Sequence, residues 1–109
     1  MDARKACMEI APLLVAMDVL GRLLNRFYID LIKARAEVET SMVLGLERDA
    51  TKPLKRAKEK LATCPATLHV AKIVEDAILS TERKEALKLI DRALEELSNI
   101  EVEELVRCV

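Results

Sequence analysis

Residues 10–46 carry a seven-residue apolar repeat, and it restricts the fold more than anything else in the chain. Ile10, Met17, Leu24, Leu31 and Val38 occupy one position of the repeat. Leu13, Leu20, Phe27, Ala34 and Ser41 occupy the other. Two such series interleave into a single seam on an α-helix. Leu14, Tyr28 and Met42 widen that seam. Apolar residues also lie off it, at Val15, Val19, Leu23, Ile29 and Ile32. A helix apolar on more than one side is buried on more than one side. Those five residues are therefore the candidate interface with another protein or a second copy.

Length strengthens the expectation. About 36 helical residues span roughly 55 Å, whereas a compact domain of about 100 residues has a radius of gyration near 13 Å. Either the helix breaks, or its excess packs on something outside the protomer. Gly45 and Thr40-Ser41 are candidate breaks; Gly21 is a weaker one, because a single helix glycine costs only about 1 kcal/mol.

The other elements follow from stops and stripes. Pro12 starts or kinks the long helix. Residues 47–52 read as a connection, and Pro53 opens a helix over 53–62 with Leu54, Ala57 and Leu61 inward. Thr63-Cys64-Pro65 stops and restarts the chain. A helix over 66–79 carries the stripe Ala66, Val70, Ile73, Val74, Ala77 and Ile78. Ser80-Thr81 caps a helix over 82–97, whose stripe is Ala86, Leu87, Ile90, Ala93, Leu94 and Leu97. Ser98 to Glu101 matches a capping box before a last helix over 101–108. The expected fold is all-α: one domain, 1–109, a small helical bundle built on a long N-terminal helix (about 12–46) with three to four shorter helices. Abundant Ala, Leu, Glu, Lys and Arg support that class. Many charged residues with no Gln is also a heat-stable protein's bias.

Charge is uneven along the chain. Residues 1–72 hold 13 Lys and Arg against 9 Asp and Glu; residues 73–109 hold 5 against 10. The two ends can attract each other, or one can meet an anionic partner. No uncharged run reaches the roughly 20 residues that span a bilayer, and no targeting segment is evident. A cytoplasmic protein without a membrane partner is expected.

Catalytic and metal-binding patterns are missing from the sequence. His69 is the single histidine, and no second Cys or His lies near it and Cys64, so a four-ligand zinc site has no set to draw on. Glycines stand only at 21 and 45, which excludes a phosphate loop. Asp30, Glu37 and Glu39 read as solvated or paired with Lys33 and Arg35. No enzyme, metal or cofactor is expected. Cys64 is the candidate reactive thiol, since it precedes Pro65 at a helix start and helix N-termini lower thiol pKa values. Cys7 and Cys108 are a candidate terminal pair.

The basic segment from Arg48 to Lys60 is the candidate nucleic-acid contact. It holds Arg48, Lys52, Lys55, Arg56, Lys58 and Lys60 against Asp49 and Glu59. Such residues track phosphates, and with no aromatic among them base stacking is not expected. In size and helical architecture alone the chain is similar to the small subunits of CRISPR effector complexes, a likeness that implies a nucleoprotein partner but shares no motif. The leading expectation is a non-enzymatic assembly subunit, a homo-oligomer or part of a larger complex; nucleic-acid backbone binding is the alternative, and a small enzyme using Cys64 ranks below both.

Overall fold

A computed structural model describes residues 16–45 and 50–109. Helix α1 is continuous over 16–44, with a π-helical turn at Leu24–Tyr28 followed by regular helix at Ile29–Leu44. Then come α2 (Thr51–Ala62), a 3-10 turn (Pro65–Thr67), α3 (Leu68–Leu79), α4 (Arg83–Ser98) and α5 (Val102–Val106). No strand occurs among the described residues. The protein is thus an all-α bundle built on one long N-terminal helix.

The stripes expected for the shorter helices become the core. Leu54, Ala57 and Leu61 of α2, Val70, Val74 and Ala77 of α3, and Ile90, Ala93 and Leu97 of α4 are all buried. Helix α3 lies between α2 and α4, and the regular part of α1 packs across both α2 and α4. Leu31, Ala34, Val38 and Ser41 of α1 close that core. Gly45 ends α1 in the left-handed conformation (φ 65°), where a glycine has no Cβ to clash. The break therefore falls at Gly45; at Gly21 the helix runs through.

The N-terminal half of the seam is turned away from the core. Leu24, Leu20 and Met17 are more than half exposed, while Leu23 is buried and Val19 packs half-buried against the core. The π turn is the cause. Ile29 N–H donates to Leu24 O, five residues back rather than four. One residue is thereby inserted into the helical repeat, so the residues ahead of it rotate by about one position. Ile10, Leu13, Leu14 and Val15 lie outside the described residues, as do the Pro12 start, Leu46 and Arg48.

Three local expectations are corrected. Helix α2 begins at Thr51, two residues before Pro53, which sits buried in the first turn where its missing N–H costs nothing. Ser98 makes no cap; its Oγ donates back to Leu94 O (2.9 Å). Ser80 Oγ donates to Glu82 O (3.1 Å), and Glu82 itself is the N-cap of α4 without a side-chain cap bond. The radius of gyration is 17.3 Å, with extents of 60 × 32 × 20 Å, well beyond a compact domain of this length.

Candidate functional site

The first candidate is the outer face of α1. Met17, Leu20, Leu24 and Ile32 are 59, 55, 54 and 49% exposed. Their spacing puts them on one line along the helix, with half-buried Tyr28 between Leu24 and Ile32. Beside that line run Gly21, Asn25 and Ile29. Of the five candidate interface residues, only Ile32 lies fully on this face. Ile29 is half-buried at its flank, Val15 is outside the described residues, and Leu23 and Val19 belong to the protomer core. Residues assigned to the seam replace them. No seven-residue count can anticipate that exchange, because the inserted residue leaves no mark on the apolar pattern.

Farther along α1, Met42, Val43 and Leu44 are also exposed.

The second candidate is the basic segment. Of its five described cations, three are occupied within the protomer. Asp30 of α1 is 5% exposed and takes Arg56 Nε at 3.3 Å and Lys60 Nζ at 2.9 Å, both from α2. Lys60 Nζ also donates to Asn25 O (3.3 Å). That carbonyl lies in the π turn, where the shifted hydrogen bonding withdraws its usual helical donor. One lysine thus holds the deformed turn and the buried carboxylate together. Lys58 pairs with Glu75 of α3 at 3.4 Å. Lys52 and Lys55 are exposed and make no ion pair among the described residues. Lys52 and Arg56 line a groove with Lys33, Ala36 and Glu37, so an acidic side chain stands in it.

Burial pushes the Asp30 carboxyl up, but the hydrogen bonds from Lys60 and Arg56, together with their charges, outweigh it and hold the pKa below the ordinary value. Asp30 is therefore an ionised anchor between α1 and α2, not a solvated residue paired with Lys33. Arg35 pairs with Asp91 of α4 (2.6 Å) and with Glu39 (2.8 Å), and the hydrogen bond to Asp91 is the largest cause of its raised pKa. The Arg35–Asp91 and Lys58–Glu75 pairs join the basic N-terminal part of the chain to the acidic C-terminal part.

The third candidate, Cys64, carries no thiol. It is fully buried and disulfide-bonded to Cys108, with a Cα–Cα distance of 5.8 Å. That bond also removes Cys108 as a partner for Cys7, which lies outside the described residues. Cys64 does hold the expected place at the start of the Pro65 turn. His69 Nε2 stands 3.9 Å from Glu96 on the surface. Among the described residues no three His, Cys, Asp or Glu side chains are grouped to hold a metal ion, and no helix is long and apolar enough to cross a membrane. No protein family, curated protein or solved structure matches the chain.

Proposed function

We propose that this chain is a non-enzymatic assembly protein that self-associates through the outer face of α1. The observation that carries the reading is the exposed line Met17, Leu20, Leu24 and Ile32. Apolar surface left in water costs about 25 cal/mol per Å², and contiguous exposed patches on soluble proteins mark interaction sites. Here four large side chains line up on a helix whose other side already closes the core.

Light scattering over a range of concentrations tests the reading. The wild type is expected to exceed the protomer mass at tens of micromolar. Leu20→Glu combined with Leu24→Glu is expected to run as a monomer with unchanged helicity, since neither side chain supports the core. A wild type that stays monomeric throughout overturns self-association.

A nucleic-acid backbone contact is a second reading, supported by Lys52, Lys55 and the exposed side of Arg56. It has less behind it, because Arg56, Lys58 and Lys60 already meet carboxylates inside the protomer. Retention of a labelled oligonucleotide at about 50 mM salt, lost as salt rises and lost in Lys52→Glu/Lys55→Glu, supports it. No retention at that salt removes it.

A further inference from the structure

We infer that the partner on this face is a second copy of the chain, packed antiparallel about a dyad beside Leu24 and Asn25. The inference rests on the self-association reading above and adds the geometry. In an isologous pair, where residue i meets the partner's residue j, residue j meets the partner's residue i by rotation about the dyad. A face that can do this must be complementary to its own reversal.

The α1 face meets that requirement. Met17 lies seven residues before Leu24 and Ile32 eight after it, so reversal sets Met17 against the partner's Ile32. Leu20 falls against the partner's Tyr28 in the same register. Along the flank, Gly21 and Ile29 stand four residues to either side of Asn25. Reversal places Ile29 over Gly21, where a Cβ would meet nothing within 4 Å and room is therefore open. Asn25 meets the partner's Asn25 at the dyad. A carboxamide is a donor and an acceptor at once, so it can bond its own copy.

Charge selects the same direction. Asp18 and Lys33 follow Met17 and Ile32 by one position each, so both lie on the same side of the apolar line. Antiparallel helices bring like flanks together, and Asp18 then faces the partner's Lys33. A parallel pair brings unlike flanks together, so Asp18 and Lys33 then stand on opposite sides of the seam from the partner's copies and this contact is lost. Asp18 already reaches Arg22 at 3.2 Å, with both side chains more than 60% exposed. Exposed pairs of that kind contribute little, so exchanging Arg22 for the partner's Lys33 costs Asp18 little.

Cysteine cross-linking of the full chain in a Cys7→Ser background tests the geometry, with Cys64 and Cys108 left bonded to each other. A disulfide needs Cα atoms within about 7 Å, whereas residues 17 and 32 of one helix are about 22 Å apart along its axis. Leu24→Cys is expected to link to itself on mild oxidation and to release on reduction. Met17→Cys alone and Ile32→Cys alone are expected to stay at least about ten-fold less linked. An equimolar mixture of those two is expected to link about half as much as Leu24→Cys, since random pairing makes about half of the dimers mixed. Oligomers in which Met17→Cys links to itself show a parallel pair; they overturn the antiparallel dyad and leave self-association standing. Oligomers that link at none of these positions place the interface elsewhere and also overturn it. A wild type that is monomeric by light scattering removes both statements. Circular dichroism and urea midpoints for each variant separate misfolding from lost contact, and Gly21→Gln, which fills the open space but touches no core residue, is expected to lower the oligomer fraction while the protomer stays folded.

Discussion

Asp30 is the residue whose role is most physical and least visible beforehand. In the sequence it is one of several carboxylates on a helix with basic neighbours. Its burial depends on where α2 crosses α1, a long-range fact that local spacing does not encode. Once there, it is held ionised by Arg56 and Lys60. A carboxylate whose folded pKa is lowered adds stability that is fully present above its unfolded value, 3.8, and is lost as the pH falls through the folded value. Asp30→Asn keeps the shape but removes the charge. At neutral pH it is expected to cost about 2 kcal/mol, in the range for hydrogen bonds to charged groups. Urea denaturation from neutral to strongly acidic pH checks this: the gap between wild type and Asp30→Asn should close below the unfolded value. A gap that is independent of pH would mean that the charge contributes nothing. The same contact makes Arg56→Glu disruptive, because it sets a second carboxylate against a buried one.

At the scale of elements, the short helices were legible and half of the long one was not. Leu54, Ala57 and Leu61, the Val70–Ala77 stripe and the Ala86–Leu97 stripe each keep helical spacing, and their members are buried or, like Ile73, Leu87 and Leu94, half-buried against the core. From Phe27 onward the seam in α1 behaves the same way. Ahead of Leu24 it fails, because the heptad count assumes an unbroken repeat and the π turn adds a residue. The turn is sustained by tertiary contacts, notably Lys60 on the Asn25 carbonyl, which no local pattern announces. Two neighbouring leucines report the register. Leu23 is 5% exposed and Leu24 54%. Leu23→Asp buries an unpaired charge and is expected to unfold the protein or cost several kcal/mol. Leu24→Asp is expected to leave the urea midpoint of the dilute protomer within about 0.5 kcal/mol of wild type. Equal destabilisation by both, or the reverse order, would show that the seam runs straight through residue 24.

Over the whole molecule the C-terminal end is secured by one covalent link and one buried side chain. Helix α5 has five residues, too few to be stable alone. Leu105 is its buried contact, and Cys108 reaches back to Cys64 beside the Pro65 turn. Three cysteines allow three pairings, and spacing does not choose among them. The choice depends on α5 folding back over the Pro65–Thr67 turn. The bridged residues are 44 apart. Closing a loop of that size removes chain entropy from the unfolded state worth about 4 kcal/mol. Cys108→Ala is therefore expected to lower stability by up to about 4 kcal/mol, and less if the unfolded chain is already compact. Helicity should change little, since α5 is a small share of the helical residues. Amide exchange should localise the effect, with residues around Leu105 losing protection before α3 and α4 do. Intact mass of the denatured wild type with and without reductant supplies the control, a gain of two hydrogens on reduction. If Cys108→Ala matches the wild type in denaturation midpoint and in protection at Leu105, then packing of Leu105 holds the C-terminus and the bridge contributes nothing to the fold.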